Sequence, residues 1–110
     1  MTPELVELAR AYMATEGAIT LAPHLYSLGD VRHNADGTRW ERHVGQWLPD
    51  LSDAATGGVL LAHHEITEAG RMASIGGAVY ARGVGWCYGA SYGEAVARAV
   101  IETSARKAGT

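Results

Sequence analysis

Apolar positions near the start of the chain recur with the period of an α-helix. Spacings of i, i+3, i+4, i+7 and i+8 place five of them on one stripe: Leu5, Leu8, Ala9, Tyr12 and Met13. Thr2 is a favourable N-cap residue, and Pro3 suits the first helical position because its missing N–H would have no partner there. Gly17 is a natural stop signal. The pattern predicts an amphipathic helix that docks on the rest of the protein.

A β-hairpin is indicated around Asp36-Gly37, a dipeptide that favours tight two-residue turns. Its arms are residues 31–34 and 38–44. Polar and apolar positions alternate only moderately along the second arm, so one of its faces is expected to be wet. Residues 18–28 are compatible with another short strand, but Pro23 restricts that strand to a sheet edge or a loop.

The second predicted helix follows Leu48-Pro49-Asp50-Leu51, which is interpreted as closing the first β region. Ser52 or Asp53 caps the helix, and its apolar residues continue to about Ala69. Gly57-Gly58 lies in its first turns, where each glycine costs about 1 kcal/mol relative to alanine. Such a cost is tolerated where another backbone packs closely, and a sheet is the expected neighbour.

A second hairpin is predicted from Ile75 to Ala81 and from Val84 to Ala90, with Arg82-Gly83 at its turn. Trp86 and Tyr88 face one way. The other face carries small residues and leaves room for a helix: Gly85, Cys87 and Gly89.

The last helix begins at Ser91, where Ser91 and Glu94 form a capping box, and ends near Arg106 and Lys107. The element order is therefore helix, hairpin, helix, hairpin, helix. This order predicts a single α+β domain over residues 1–110, with one four-stranded antiparallel sheet built from the two hairpins and packed with three helices.

Composition and charge narrow the function classes. The chain has 110 residues and a formal net charge of −3, which lowers the expectation of nucleic-acid binding. No apolar run approaches the ~20 residues of a membrane span. The single cysteine, Cys87, cannot form an internal disulfide, and the opening residues lack a basic-then-apolar signal. A cytoplasmic location is expected.

One segment resembles a known pattern. Residues 48–61 read Leu-Pro-Asp-Leu-Ser-Asp-Ala-Ala-Thr-Gly-Gly-Val-Leu-Leu. Small uncharacterised proteins of bacteriophages and prophages, similar to α-β-α sandwich domains, carry Leu-Pro-Asp-Leu-Thr-Asp-Pro-Ala-Thr-Leu-Gly-Cys-Leu-Leu at the start of a helix. This chain departs at Ala54, Gly57 and Val59, and the resemblance covers about residues 48–107. It implies a phage or prophage accessory protein and transfers no catalytic residue.

Two candidate nucleophiles have simpler interpretations. Residues 89–93 spell Gly-Ala-Ser-Tyr-Gly at a strand-to-helix junction, as a hydrolase nucleophile elbow would. Every histidine precedes Ser91, whereas that fold places the acid and the histidine after the serine, and the capping box already accounts for Ser91. Cys87 between Trp86 and Tyr88 is typical of a small packed residue. No catalytic residue is assigned.

A metal site is the next alternative. His64 and Glu68 are four residues apart, which on one helix would direct both toward a divalent ion, with His63 beside them. The favoured interpretation is a solvated helix end, because five scattered histidines do not make a ligand set. Neither a metal nor a cofactor is expected, and a small metal-dependent hydrolase using His63, His64 and Glu68 remains an alternative function.

Surface recognition is the remaining class, since Trp, Tyr and Arg are enriched at binding hot spots. Aromatic residues cluster on or beside both hairpins: Trp40, Trp47, Tyr80, Trp86 and Tyr88. Most are expected to fill the core, with Trp40 and Trp47 the exposed pair. The candidate binding residues are Arg39, Trp40, Arg42, Trp47 and Arg82.

The leading functional hypothesis is therefore a non-enzymatic, phage-type binding protein in the host cytoplasm. It would occupy a surface of a host bacterial protein, and the concrete form is an inhibitor of a bacterial defence system, such as an anti-CRISPR protein. A homodimeric structural or regulatory protein, paired through an exposed hairpin edge, is a further alternative.

Overall fold

The computed structural model describes residues 1–72 and 76–109. The helices are α1 (Pro3–Met13), α2 (Ala54–His63) and α3 (Tyr92–Ala108). The strands are β1 (His24–Leu28), β2 (Val31–Asn34), β3 (Arg39–His43), β4 (Gln46–Pro49), β5 (Ala69–Met72), β6 (Gly76–Ala81) and β7 (Gly85–Gly89). The α+β class is confirmed, and Ile75, the predicted first residue of the second hairpin, lies outside the described residues.

The strands form two antiparallel sheets, one of order β1-β2-β3-β4 and one of order β5-β6-β7. Both predicted hairpins are present, as β2–β3 and β6–β7. The prediction that they join in a single four-stranded sheet is wrong, because each hairpin pairs with strands next to it in the chain. β1 takes the edge position that Pro23 allowed, and β4 pairs with β3 up to Pro49.

Helix α2 ends at His63, earlier than the predicted Ala69. Glu65 has a left-handed backbone (φ 54°). Its N–H donates to the Ala62 carbonyl at 3.1 Å, and the Ile66 N–H donates to the Leu61 carbonyl at 2.9 Å. This is a Schellman stop formed without glycine. The chain then enters β5 at Ala69, the predicted last residue of the helix.

In the predicted apolar stripe of α1, Ala9 and Tyr12 are buried with Val6, and the other three residues are partly buried: Leu5, Leu8 and Met13. Thr2 caps the helix, and its Oγ1 accepts a hydrogen bond from the Leu5 N–H at 3.2 Å. Asp53, one of the two predicted caps of α2, accepts from the Thr56 N–H at 3.0 Å. These side-chain acceptors satisfy N–H groups that have no partner within the helix.

Helix α3 packs on the inner face of β6 and β7, where small residues allow it to approach the backbone. A Cβ atom at Gly77 would lie 2.7 Å from the carbonyl carbon of Ser91, and one at Gly89 would lie 2.6 Å from a carboxylate oxygen of Glu94. The prediction that the small face of this hairpin receives a helix is confirmed. Side chains at these positions would push the helix off the sheet.

The N-terminus of α3 also packs on the segment that leads into α2. A Cβ atom at Gly93 would collide with the Leu51 carbonyl, and one at Gly57 would lie 3.0 Å from the Gly93 nitrogen. The close neighbour of Gly57 is thus a helix and not the expected sheet. Ser91 Oγ donates to the Leu51 carbonyl at 2.6 Å and accepts from the Glu94 N–H at 3.2 Å. The Glu94 carboxylate accepts from the Ala90 N–H rather than from Ser91.

We expect Gly93→Ala to lower the free energy of unfolding by at least about 2 kcal/mol, because the new methyl group meets the Leu51 carbonyl. Gly58→Ala is the matched control. Gly58 lies in the same pair of packed helices, has nothing within 4 Å of an added Cβ and should gain about 0.5–1 kcal/mol. Urea unfolding of the three proteins measures both effects. A Gly93→Ala variant as stable as the wild type would contradict this packing.

Candidate functional site

Trp40 is part of the core, and the expectation that it is exposed is wrong. Its side chain lies on the inner strand β3 and is 1% exposed. The indole Nε1 donates to Thr38 Oγ1 at 2.8 Å, so its one polar group is satisfied inside the protein. The moderate alternation along this hairpin indicated a solvent-exposed face, but the Trp40 ring belongs to the hydrophobic core cluster.

Arg39 is held in an ion network on the same strand. Its guanidinium donates to the carboxylates of Asp50 and Glu41. Glu41 also accepts from His43 Nε2 at 3.0 Å and from the amino group of Met1 at 3.0 Å. Burial alone would raise the pKa of Glu41, but these donors outweigh it and lower the pKa to about 2. Arg39 therefore stabilises the folded sheet.

Arg42 and Trp47 are brought together, and Arg82 lies apart from them. Arg42 lies over the half-buried Trp47 ring, 5.4 Å from its centroid, and donates to Asp30 Oδ1 at 2.7 Å. Arg82 is exposed in the turn between β6 and β7, which belongs to the other sheet. The five predicted binding residues are thus divided between a core position, an ion network, a cation–π pair and a distant turn.

The three residues of the metal alternative do not lie on one helix face. Because α2 ends at His63, Glu68 lies beyond the helix. The four-residue spacing between His64 and Glu68 therefore does not place them on one helix face. His63 Nε2 donates to the Gly17 carbonyl at 2.9 Å, and His64 Nε2 is bonded to Tyr12. Among residues 1–72 and 76–109, no group of three or more His, Cys, Asp or Glu side chains could hold a metal ion.

Tyr12 and His64 form a buried hydrogen-bonded pair that links α1 to the end of α2. The Tyr12 hydroxyl accepts from the Ile19 N–H at 2.9 Å and lies 2.6 Å from His64 Nε2. The hydroxyl, which has one donor and two acceptor positions, bonds both the Ile19 N–H and His64 Nε2. Burial and the neighbouring His63 lower the pKa of His64 to about 4, and burial raises the pKa of Tyr12 to about 12.

Both candidate nucleophiles are engaged in structure. Ser91 Oγ caps α3 and donates to Leu51, and no histidine is among its hydrogen-bond partners. Cys87 lies opposite Val79 on the inner side of the three-stranded sheet. Burial, together with the carboxylate of Glu102, raises the pKa of the Cys87 thiol, which disfavours the thiolate that nucleophilic chemistry requires.

The outer side of the three-stranded sheet presents large exposed side chains. Tyr80, Trp86 and Tyr88 are 40%, 50% and 43% exposed, and we call these three residues the aromatic face. Tyr80 lies directly opposite Trp86, with ring centroids 5.6 Å apart and planes inclined by 67°. Tyr88 lies opposite Ala78, which is 4% exposed and forms the floor between the rings.

The signal for this face was present in the sequence. Gly85, Cys87 and Gly89 alternate with the large residues of β7, so a helix on the small face leaves Trp86 and Tyr88 in solvent. The prediction that Trp40 and Trp47 form the exposed pair does not take this alternation along β7 into account. The arrangement offers ring contact and hydrogen-bond donation to a ligand.

A cleft of about 840 Å³ lies beside the aromatic face and shares Tyr80 with it. Its charged lining residues have both signs: Glu16, Glu65, Glu68, Arg82 and Lys107. Because carboxylates and cations are mixed, the cleft does not select one sign of charged ligand.

Comparison with protein-family models, curated proteins and solved structures gives no match for this chain. In the described part of the chain, no helix has the length and apolar character needed to cross a bilayer.

The His64 pair makes stability depend on pH. The folded pKa of about 4 lies below the ordinary 6.5, so below pH 6.5 the unfolded chain binds a proton that the folded protein does not. The free energy of unfolding therefore decreases as the pH falls from 6.5 toward 4, because protonation of His64 favours the unfolded chain. His64→Gln keeps an acceptor for the Tyr12 hydroxyl and does not titrate. Urea unfolding at several pH values should show the wild type losing about 2 kcal/mol more than this variant over that interval. Parallel pH curves would contradict the assignment.

Proposed function

We propose that the protein is a non-enzymatic binding protein that occupies a surface of another protein through its aromatic face. The observation that supports this proposal is the exposure of Tyr80, Trp86 and Tyr88 together on one side of a sheet whose other side is covered by α3. Tyr and Trp supply large contact area with little conformational entropy, and both are enriched at binding hot spots.

The aromatic face is held in place before a partner arrives. β6 pairs with β5 on one side and with β7 on the other, so the backbone under Tyr80 is hydrogen-bonded in a ladder on both sides. The Tyr80–Trp86 ring contact restrains both side chains further. Preorganisation of this kind lowers the entropic cost of association.

A protein is a better proposed partner than a nucleic acid. The net charge of the chain is −3, whereas binding to phosphate backbones depends on clustered positive charge. Gly70, Ala78 and the aromatic face are uncharged, and the residue that the register places opposite Tyr80 is the acidic Glu68, whose carbonyl accepts from the Tyr80 N–H.

The resemblance of residues 48–107 to phage and prophage proteins makes a host bacterial protein the proposed partner. Inhibition of a bacterial defence system, such as a CRISPR–Cas effector, is the proposed consequence, and the host cytoplasm is the proposed location. Support for a binding function also comes from Ser91, whose hydroxyl is engaged with the Leu51 carbonyl and the Glu94 N–H.

Self-association through β1 is a second candidate, favoured by a specific observation. All five residues of this edge strand are exposed, including Leu25, Tyr26 and Leu28. Exposed apolar edge strands are ready to pair with another chain. This alternative predicts that changing Leu25, rather than Trp86, abolishes the activity.

The binding proposal is tested by co-elution of the purified protein with a panel of purified CRISPR–Cas effector complexes. We expect one stoichiometric complex, and Trp86→Ala should weaken it by roughly 30-fold or more in Kd, as for a hot-spot residue. Leu25→Ser is the matched control, because Leu25 is an exposed apolar residue on the other sheet, and this variant should bind like the wild type.

Three outcomes would contradict this account. Full binding by Trp86→Ala would remove the aromatic face from the interface. Loss of binding in Leu25→Ser, with binding retained in Trp86→Ala, would assign the interface to the β1 edge. Absence of any complex across the panel would contradict the anti-CRISPR form of the proposal. Urea unfolding of each variant confirms that a lost complex does not reflect a lost fold.

A further inference from the structure

We propose that the open edge of β1 pairs with β1 of a second copy of this chain, in an antiparallel ladder centred on Ser27. This inference rests on the self-association candidate above, concerns β1 rather than the aromatic face, and specifies the register and symmetry of the contact. A two-fold axis at Ser27 would join two four-stranded sheets into one continuous sheet of eight strands.

The two edges of the four-stranded sheet are protected to different degrees. At one edge, β4 packs against α1, and Arg10 Nη1 donates to Gln46 Oε1 at 3.1 Å. Pro49, the last residue of β4, has no N–H to offer to a further strand. Within the described residues, β1 at the other edge pairs with β2 alone, and all five of its residues are exposed. Such an edge is a template for another strand.

The backbone of β1 presents Ser27 to this open edge. Leu28 and Val31 close the two-residue turn between β1 and β2, so they form the first hydrogen-bonded pair of that hairpin. Hydrogen-bonded and non-hydrogen-bonded pairs alternate in an antiparallel ladder, so the next pair, Ser27 and Arg32, is of the second type. The N–H and C=O of Ser27 therefore point away from β2, where the same groups of a second Ser27 can exchange two hydrogen bonds with them.

A bulge in β1 limits the register of such a ladder. The β1–β2 pairing shifts between His24 and Tyr26, so the regularly paired segment before the turn is Tyr26–Leu28. Two such segments, running antiparallel, use all three residues of both copies only when Ser27 lies opposite Ser27. Tyr26 of each copy then lies opposite Leu28 of the other.

The side chains are complementary in that register. Tyr26 and Leu28 lie on one face of the strand and are 47% and 71% exposed. The Tyr26 ring already stacks on His33 of β2, with centroids 4.6 Å apart and planes inclined by 16°. Leu28 of the second copy would extend this row by an apolar cross-strand pair, and no charged side chain in Tyr26–Leu28 would meet its like across the axis. The apolar-polar-apolar pattern is the same in both directions of the strand, which favours a second copy as the occupant.

The contact is expected to be weak, because a three-residue ladder is small beside the ~1,200–2,000 Å² of a stable interface. We expect a Kd on the order of 100 µM. In sedimentation equilibrium of the full chain from about 10 µM to about 1 mM, the average mass should rise from 11.6 kDa toward twice that value. A mass that stays at that of one chain throughout would overturn the inference.

A pair of matched variants distinguishes this contact from non-specific association of exposed apolar residues. Leu28→Lys should weaken dimerisation at least about 10-fold, since lysines on an edge strand oppose further pairing. Val44→Lys is the control, because Val44 is an exposed apolar residue of the same sheet, in the turn between β3 and β4. It should self-associate like the wild type. Equal loss in both variants would overturn the inference, and urea unfolding confirms that both remain folded.

Disulfide cross-linking tests the register. Opposite residues of a hydrogen-bonded antiparallel pair have Cα atoms about 5.5 Å apart, a distance that a disulfide can span. Ser27→Cys in a Cys87→Ser background should therefore form a covalent dimer on mild oxidation. Tyr26→Cys in the same background should do so at least about 10-fold more slowly, because the two Tyr26 positions are about 8 Å apart across the axis. Equal rates would overturn the inference.

These measurements use the purified chain alone, so their outcome is separable from that of the proposed function. If the chain stays monomeric and Trp86→Ala loses its effector complex, the binding function stands and the dimer inference is wrong. If the chain dimerises through Ser27 and no effector complex forms, the inference stands and the proposed partner is wrong.

Discussion

The close approach of α3 to the three-stranded sheet and to the start of α2 is the constraint on which the rest of the structure depends. Gly77 and Gly89 bring the backbone of the sheet against the first turn of α3, and Gly93 brings that turn against Leu51. No larger residue fits these three positions without displacing the helix. Once α3 covers the inner side of the sheet, the large residues of β7 are left on the outer side.

Ser91 and His64, the candidate nucleophile and candidate metal ligand of the sequence, make hydrogen bonds that join separate segments of the chain. Ser91 joins α3 to Leu51, and Tyr12 joins α1 to both Ile19 and His64. Each of these polar atoms has a partner inside the protein, which removes the cost of burying it unpaired. The aromatic face, by contrast, leaves 40–50% of each of its three residues exposed to solvent.

Local signals in the sequence predicted the helix starts, both hairpins and the small inner face of β7, because caps, tight turns and alternation act over a few residues. The sheet arrangement was harder to predict. β4 pairs with β3 through a two-residue turn at Val44-Gly45, where a valine gives no signal for its left-handed conformation, and β5 begins at the residue that the helical pattern included last. Glu65 adopts a left-handed conformation that its residue type does not signal, so the end of α2 was placed too late. Trp40 was assigned to the surface because burial of β3 requires elements distant in sequence.

Native-state hydrogen exchange tests the central claim most directly, namely that β6 and α3 form one rigid unit that presents the aromatic face. Amides of Val79 in β6 and Val96 in α3, both fully buried, should exchange with opening free energies within about 1 kcal/mol of each other. Amides of the exposed edge strand β1 should exchange at a much lower free energy. Exchange of Val79 at the low free energy of β1 would show that the sheet opens independently of α3, and would contradict the account.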